Sequence, residues 1–346
     1  MAYPTDRTLY WRLDSTSGTQ DGTVDTAGNS GTAAFESLAA LIAYVVSTDA
    51  DLTGQGPLTL ITTQTGRETP SLALDFSGIT TTASDYLVVE AQGDARNNGV
   101  SYENDANCYQ VQRAGYAWQG GTGYYRVKGI EMSGTSSSGY GAFDEIPTHG
   151  AGSSDIRFDE CLFTCTSATA LSNYCVHANG SITFTFTNCL VLANGHRAAD
   201  MRSSTTTVDH CGFITANTYA AMVDTGVTVT NSYAISSAAG GEDWYQAANG
   251  SSTNNASLDN SCDPSTNAVD IVASTNEFNG YTAVPSTADL TLKDSLLNEA
   301  GTGSEAVDIT GSARTGTADI GPFNFAAAGG GLSIPVAYHH YNRNLQ

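Results

Sequence analysis

Residues 184–191 read FTFTNCLV, and similar stretches stand at 156–163 (IRFDECLF), 206–213 (TTVDHCGF) and 227–234 (VTVTNSYA). In each stretch, an apolar residue stands three positions before and another two positions after a Cys or Ser. Seven copies of this pattern align, on the following residues: Ile130, Cys161, Cys189, Cys211, Ser232, Ser261 and Ser295. A short strand with one buried face that recurs about every 20 to 35 residues predicts stacked coils, because one such strand cannot bury its face alone.

The residue before the aligned position predicts how two strands of one coil are joined. It is polar in six of the copies: Glu160, Asn188, His210, Asn231, Asn260 and Asp294. Asn and Asp tolerate αL backbone and hydrogen-bond locally, so a bend is expected there. The aligned cysteines Cys161, Cys189 and Cys211 are interpreted as a stack of small reduced hydrophobes. A disulfide framework is the alternative for the seven cysteines of the chain.

The composition is typical of short strands joined by tight turns. The chain has 346 residues, of which 40% are hydrophobic and 14% are charged. Its net charge is −22, from 35 acidic and 13 basic residues. This balance disfavours binding to nucleic acid or to an anionic membrane, since both need clustered Lys and Arg. The sequence shows neither a leader-like segment nor an apolar run of membrane-spanning length, so synthesis in a cytoplasm is expected.

Three regions are predicted along the chain. Residues 1–54 hold an opening strand at 8–13, a polar loop and a helix that Thr32 caps and that runs to about Val46. The helix has an apolar stripe that consists of Phe35, Leu38, Leu41, Ile42 and Val45. Such a helix suits a plug over the open end of a stack, with a partner-binding helix as the alternative. Residues 55–325 form the coils, with insertions at 133–153, 166–181 and 238–255, and residues 326–346 form a tail.

The repeat resembles that of the pectate-lyase-like superfamily over about residues 55–325. This resemblance implies an all-β fold, a right-handed parallel β-helix with a short N-terminal capping helix and an extended C-terminal tail. The run from Asp308 through Arg314 to Asp319-Ile-Gly-Pro-Phe323 is similar to the terminal coil of that superfamily, in which Arg314 would bond loop carbonyls or the two aspartates. The opening segment and the glycine-linked tail are similar to β-helix virion proteins of tailed bacteriophages.

Proteins of this superfamily are commonly polysaccharide lyases or hydrolases, so a carbohydrate site is one expectation. The candidates for lyase chemistry are Asp200, Asp209, Asp224, Arg197 and Arg202. They are interpreted as exposed loop charges, because Arg197, Asp200 and Arg202 fall in a predicted turn and the diagnostic motifs of the superfamily's enzymes are absent. The aromatic candidates for glycan contact are Tyr102, Tyr109, Tyr116, Trp118 and Tyr124, with packing of a lateral loop or distorted coil at 93–123 as the alternative. No catalytic, cofactor-binding or metal-binding set is assigned, and a structural Ca²⁺ at acidic loops is the one ion considered.

The tail predicts attachment to a partner. After the three glycines 329–331, residues 332–341 read LSIPVAYHHY, which is apolar and aromatic without a core of its own. The expected contact residues are Leu332, Ile334, Val336, Tyr338, His339, His340 and Tyr341. The expected function is that of a non-enzymatic virion structural protein, a capsid decoration or head-fibre protein made in the host cytoplasm. Its expected partners are other copies of itself (a trimer is one form), the major capsid protein or another virion protein, and a host surface glycan. The alternative is a tail-spike-like protein that binds or degrades polysaccharide.

Overall fold

The structure is a computed structural model, and it describes most of the chain. The described residues are 8–10, 37–63, 65–97, 99, 108–120, 123–135, 141–145, 154–166, 174–178, 182–202, 205–224, 226–245, 252–262, 267–271, 273–281, 289–293, 296–297, 300–302, 306–314 and 318–325. The tail at 326–346 and its seven predicted contact residues therefore lie outside the described part.

Parallel strands in three sheets dominate the described residues. Sheet 1 consists of β1 Thr8–Tyr10, β2 Leu58–Thr62, β5 Leu87–Ala91, β8 Tyr124–Lys128, β11 Asp155–Asp159, β14 Thr183–Thr187, β17 Thr207–Asp209 and β20 Thr228–Thr230. Sheet 2 consists of β3 Gly66–Glu68, β6 Tyr109–Arg113, β9 Glu131–Gly134, β12 Leu162–Thr166, β15 Leu190–Asn194, β18 Gly212–Thr215, β21 Tyr233–Ser236, β23 Ala256–Ser257 and β24 Val269–Asp270. Sheet 3 consists of β4 Leu74–Asp75, β7 Trp118–Gly120, β10 Phe143–Glu145, β13 Tyr174–His177, β16 Arg197–Met201, β19 Tyr219–Val223 and β22 Glu242–Tyr245.

The remaining elements are few. They are α1 Leu38–Thr48, a 3₁₀ turn at Gly93–Ala95, α2 Ser274–Glu277, and the antiparallel pair β25 Phe278–Gly280 and β26 Asp289–Leu292.

Strand order shows how the chain winds. From β2 to β22, each sheet takes every third strand, and neighbouring strands are parallel. Each turn of the chain therefore adds one strand to each of three stacked sheets, which is compatible with a parallel β-helix. The sheet 3 strands β10, β13 and β22 fall inside the segments predicted as insertions, so the third side of each turn lies where the sequence pattern is weakest.

In-register apolar side chains fill the space between the sheets. Val127, Phe158, Phe186, Val208 and Val229 are Cα partners on successive strands of sheet 1, and all are buried. The rings of Phe158 and Phe186 stack with centroids 5.3 Å apart. Five of the seven predicted repeats are thus confirmed in their predicted register. Stacking of this kind buries each rung against the next, and it supplies most of the core.

The predicted bend between the first two strands of each turn is confirmed. Positive φ values of 49° to 55° occur at the residues just before the aligned position: Glu160, Asn188, His210 and Asn231. The side chain at the aligned position can accept a hydrogen bond from the backbone amide of the aligned residue in the preceding turn. The Cys211 amide, for example, donates to Ser232 Oγ at 3.0 Å. The Ser232 amide likewise donates to Asn255 Oδ1 at 3.1 Å. All seven cysteines are buried and none is in a disulfide, and the stacked-thiol interpretation expects this of Cys161, Cys189 and Cys211.

The sixth and seventh predicted repeats are wrong. Ala256 pairs with Tyr233 in sheet 2, which makes Asn255, and not Ser261, the aligned residue of the sixth turn. Asn254, with φ of 55°, takes the bend position. The seventh copy, around Leu290 and Leu292, forms the antiparallel strand β26 outside the three parallel sheets. In both cases the apolar residues have the spacing of the repeat, but the backbone pairing is not the one that this spacing predicts.

Helix α1 packs against the first turn. Its buried side chains Leu38, Leu41, Ile42 and Val45 belong to the same core cluster as the sheet residues, which confirms that part of the predicted stripe. The N-cap is Ser37, whose hydroxyl accepts from the Ala40 amide, so the prediction of Thr32 as the cap is wrong. Thr32 and Phe35 lie outside the described residues.

A carboxylate from sheet 2 holds the start of this helix. Glu68, on the edge strand β3, accepts from the amides of Leu38 at 2.8 Å and Ala39 at 3.0 Å. The Tyr109 hydroxyl donates to the same carboxylate. A negative charge at the N-terminus of a helix is favourable, so this contact fixes α1 over the first turn.

The described residues between 271 and 325, here called the strap, cover the outer face of sheet 2. One apolar cluster joins outward residues of that sheet with the strap, and it includes Leu162, Leu190, Leu192, Ile214, Tyr233, Ile235, Phe278, Leu290, Leu297, Ile309, Ile320 and Phe323. The Asn188 amide nitrogen Nδ2 donates to the Val307 carbonyl at 3.0 Å, and the Gly321 amide donates to the Asn231 carbonyl at 2.7 Å. The predicted terminal coil at 308–323 is therefore a segment that folds back along the flank of the stack.

Arg314 fastens this segment, as the sequence predicts. Its guanidinium donates to the carbonyls of Gly321 at 3.0 Å, Phe323 at 3.3 Å and Val307 at 3.3 Å. It also donates to Asn188 Oδ1 at 2.9 Å, so one side chain joins three points of the strap to a corner of the parallel sheets.

Candidate functional site

The aromatic residues expected to contact a glycan do not form one surface. Tyr109 and Trp118 are buried in the core, so they are corrected from contact residues to packing residues. Tyr116 and Tyr124 are half-buried, and they lie before β7 of sheet 3 and on β8 of sheet 1 respectively. Tyr102 lies outside the described residues. The packing alternative thus accounts for Tyr109 and Trp118.

A different row of side chains runs along sheet 3, and it crosses four consecutive turns. The row consists of His177, Tyr174, Arg197, Tyr219 and Tyr245, here called the sheet 3 row. His177 and Tyr174 stack with centroids 5.9 Å apart. The Arg197 guanidinium carbon lies 5.5 Å from the Tyr174 ring centroid and 4.6 Å from that of Tyr219. The rings of Tyr219 and Tyr245 are 4.8 Å apart.

Register explains part of the row. Tyr174 is the Cα partner of Arg197. Tyr219 is the Cα partner of Glu242, and Tyr245 stands three positions further along that strand, so the contact between the two tyrosine rings is diagonal. Parallel strands lie about 4.8 Å apart, which is close to the separation of stacked planar groups. Side chains that repeat once per turn therefore stack along the axis, and Arg197 gains cation–π contacts on both faces.

Asp200, one of the lyase candidates, lies beside this row and is fully buried. The Arg202 guanidinium donates to both of its carboxylate oxygens at 2.7 Å. His177 Nε2 lies 3.7 Å from Asp200 Oδ2. The hydrogen bond to Asp200 raises the pKa of Arg202 above its usual value. The interpretation of Arg197, Asp200 and Arg202 as exposed charges in a turn is wrong. Arg197 and Asp200 stand on β16, Asp200 is buried, and both arginines are half-buried.

The other two acidic candidates lie elsewhere. Asp224 is exposed at the end of β19. Asp209 lies on sheet 1, with Oδ1 3.1 Å from His210 Nδ1 and 2.7 Å from the donor Thr230 Oγ1. Burial acts to raise the pKa of Asp209, but the hydrogen bonds from His210, Thr230 and Asn231 outweigh it and the pKa is lowered. The three predicted carboxylates thus stand in three separate environments.

A second buried polar group lies on sheet 2. Glu131 is fully buried and accepts from Gln110 Nε2 at 2.5 Å and from the Cys108 thiol at 3.3 Å. Arg67 Nε donates to Gln110 Oε1 at 2.5 Å. These contacts form a continuous chain of hydrogen bonds over three turns. Sequence reasoning missed it because the four residues come from three distant segments.

The chemistry that these groups can perform is limited by their mutual contacts. A polysaccharide lyase or hydrolase needs a carboxylate or base that reaches the substrate. Asp200 is held on both oxygens by Arg202 and has no exposed surface. In the sheet 3 row, Tyr174 and His177 are buried, whereas Arg197, Tyr219 and Tyr245 are half-buried. The guanidinium and the phenols of Tyr219 and Tyr245 are therefore the groups that this row can offer to water.

The described residues contain neither a metal-binding cluster nor a membrane-spanning helix. Within them, no group of three or more His, Cys, Asp or Glu side chains is arranged to hold a metal ion. The Ca²⁺ considered for acidic loops therefore stays a prediction. No helix in the described part is long and apolar enough to cross a membrane.

The fold and the site define an all-β protein of stacked parallel sheets with a stacked polar and aromatic row on one side. No family model, no curated protein and no solved structure matches this chain.

Proposed function

We propose that this chain is a right-handed parallel β-helix that serves as a non-enzymatic structural protein of a tailed-phage virion. In this proposal it is a capsid decoration or head-fibre protein, and its C-terminal tail docks on the particle. The resemblance of the repeat, the opening segment and the tail supports the phage assignment, and the parallel stacking supports the fold.

The observation that carries the non-enzymatic role is the state of Asp200. It is the candidate carboxylate that stands next to Arg197 and His177, yet it is buried and forked by Arg202. Each of its oxygens already accepts one hydrogen bond from Arg202, and because the side chain is fully buried its remaining lone pairs do not face solvent for proton transfer. The contacts of Asp200 therefore favour a structural role, in which this carboxylate stabilises the packing of neighbouring turns.

The two ends of the stack also suit a structural protein that does not polymerise end to end. At one end, α1 and the outermost strand β1 pack on the first turn. At the other end, the amides of Asp243 and Trp244 on the edge strand β22 donate to side chains, to Asp259 Oδ2 at 3.0 Å and Ser261 Oγ at 2.8 Å. Edges closed in this way resist strand addition by another chain.

Deletion of residues 329–346 tests this function. The shortened protein is expected to keep the circular dichroism and unfolding transition of the full chain, because the described fold ends at residue 325. It is also expected to lose sedimentation with phage particles that were assembled without this protein. The matched control is a full-length chain with Ser333→Ala in the tail, which keeps the apolar residues and should still bind. Equal binding by the deleted and full chains would contradict the role of the tail.

The second candidate is a tail-spike-like protein that binds or degrades polysaccharide. It is favoured by one observation, the half-buried polar side chains Arg197, Tyr219 and Tyr245 on three consecutive turns of sheet 3, which match hydrogen bonding to an extended polymer. Incubation with a panel of bacterial capsules should then release reducing or unsaturated ends, and Arg197→Ala should abolish the release or the binding. Neither release nor binding across the panel would remove this candidate.

A further inference from the structure

Two thiols lie at the corner of the stack where the chain passes from sheet 2 to sheet 3. Cys165 stands on β12 and Cys175 on β13, and both are fully buried in the core cluster. Residues 166–174 connect them. The Cα partners of Cys165 on the neighbouring strands are Gly134 and Ala193, so the adjacent turns place only small side chains beside this thiol.

A glycine of the preceding turn shows how near the two cysteines come. A Cβ on Gly141 would overlap Cys165 Sγ, and it would stand 3.1 Å from Cys165 Cβ and 3.5 Å from Cys175 Cα. Gly141 is also joined to the chain next to Cys175, because its amide donates to the Tyr174 carbonyl at 2.9 Å. The Cys165 thiol therefore occupies the space that a side chain at 141 would fill, and this space adjoins Cys175.

The two thiols also interact with each other. Burial raises the pKa of the Cys175 thiol well above its usual value, and hydrogen bonding to the Cys165 thiol raises it further. The stacked thiols at the aligned position are engaged differently. Cys189 Sγ, for example, donates to the carbonyls of Phe158 at 3.5 Å and Thr187 at 3.3 Å. Mutual contact between two thiols is the starting geometry for a disulfide, in which the Cβ atoms lie about 4 Å apart.

We propose that Cys165 and Cys175 are a redox pair that closes to a disulfide when the protein meets a low-molecular-weight disulfide such as oxidised glutathione. The reaction consists of two exchanges. One cysteine thiolate attacks a sulfur of the oxidant, forms a mixed disulfide and releases one glutathione thiolate. The other cysteine thiolate attacks the protein sulfur of that mixed disulfide and releases the second. The two protons that the cysteines lose end on the two glutathiones, so the oxidant gains the two electrons that the pair gives up.

Closure of this pair joins sheet 2 to sheet 3 within one turn. The connection 166–174 becomes a covalently closed loop, which stabilises the fold by restricting the unfolded chain. Because both thiols are fully buried, exchange has to pass through local opening of this corner, and it is slow in the folded protein. The pair stays reduced in a cytoplasm and closes in oxidising surroundings. This inference does not depend on the virion role.

Thiol counting on the full-length chain tests the pair. The reduced protein is incubated with oxidised glutathione at about pH 8, once folded and once during refolding from urea, and it is then alkylated in denaturant. Seven thiols are expected to react before oxidation and two fewer after it, and the oxidised chain should be lighter by two hydrogen atoms. Chymotrypsin cleaves after Phe163, Leu171 and Tyr174, so the expected product is a linked pair of peptides that contains Cys165 and Cys175.

Matched variants and the reverse reaction complete the test. Cys165→Ala and Cys175→Ala should each abolish the bond, whereas Cys161→Ala, a change at another fully buried core cysteine, should leave it intact. Dithiothreitol should reduce the bond at least about tenfold more slowly in the folded protein than in urea. Seven remaining thiols after both incubations, a stable adduct with a single glutathione, or a linked pair between other cysteines such as Cys161 and Cys189 would each overturn the proposal.

Discussion

Replacement of Arg314 by Met should loosen the strap and lower the free energy of unfolding by about 3 kcal/mol. The guanidinium makes two short hydrogen bonds, to Asn188 Oδ1 at 2.9 Å and the Gly321 carbonyl at 3.0 Å. Two others, to Phe323 and Val307, are 3.3 Å long. A hydrogen bond from a charged group contributes about 1.5 kcal/mol at the low end, which suits this half-buried side chain, and we count only the two short bonds. Arg314→Lys keeps the charge without the fork and should cost about half as much.

Urea unfolding followed by circular dichroism measures these changes. Asn188→Gly removes the acceptor while keeping a residue that adopts the φ of 51° found there. The double variant should reveal a coupling of about 1 kcal/mol between the two positions. Arg157→Met is the control, because its exposed ion pair with Asp155 should contribute less than about 1 kcal/mol. A value for Arg314→Met as small as that of the control, or no coupling to Asn188, would refute this account of the strap.

Three more predictions concern the stack itself. Phe186→Ala should cost about 4 kcal/mol by opening a cavity between the buried rungs, whereas Thr185→Ala on the outer face of the same strand should cost under about 1 kcal/mol in the same urea assay. Glu68→Gln should lower the free energy of unfolding by about 2 kcal/mol and speed hydrogen exchange at the Leu38 and Ala39 amides. The reason is that it removes the negative charge of the side chain to which these two amides donate. Unchanged exchange at the two amides would contradict this prediction. Burial raises the pKa of Asp243 from an ordinary 3.8 to about 7, so the folded state binds this proton more tightly than the unfolded state. The stability from this proton is present at low pH and is lost as pH rises toward 7. The free energy of unfolding of the wild-type protein should therefore fall by about 3 kcal/mol relative to that of Asp243→Asn between pH 4 and pH 8. Parallel curves of unfolding free energy against pH for the two proteins would contradict this prediction.

The repeat could be predicted from the sequence because its signal is local. Each copy places its apolar residues and its αL residue within eight positions, and the φ of 51° at both Asn188 and His210 follows from that short pattern. Sheet 1 and sheet 2 strands of five turns were therefore located with their register. The sixth turn was misplaced because Asn260 also has a positive φ, of 62°, six residues after the true bend at Asn254. A short pattern cannot distinguish two such asparagines when the strands beside them have only two residues.

The sheet 3 strands and the strap could not be predicted in the same way. The third strand of each turn follows connections of different length, so its residues do not align at a fixed distance from Cys161 or Cys189. The strap depends on contacts between residues far apart in sequence, such as Arg314 with Asn188. Its Leu290 and Leu292 have the spacing of a rung, but their partners are set by the apolar outer face of sheet 2.

Part of the candidate site carried a signal that sequence reasoning did not use. Tyr174, Arg197, Tyr219 and Tyr245 recur at about the spacing of one turn, and planar side chains at one position per turn are expected to stack. The pairing of Asp200 with Arg202 was within reach as well, since alternate residues on a strand share a face. What the sequence could not supply is the burial of Asp200, which depends on its neighbours in adjacent turns.

The distance between spin labels on the outer face of sheet 1 tests the stacking most directly. Val88, Arg126, Arg157, Thr185, Thr207 and Thr228 are successive Cα partners. At about 4.8 Å per strand, labels at Val88 and Thr207 should lie about 19 Å apart, and labels at Val88 and Thr228 about 24 Å apart. Pulsed electron paramagnetic resonance on the two doubly labelled proteins should show this steady increase. Equal distances for the two pairs, or a shorter one for Val88 and Thr228, would contradict a chain that climbs one strand spacing per turn.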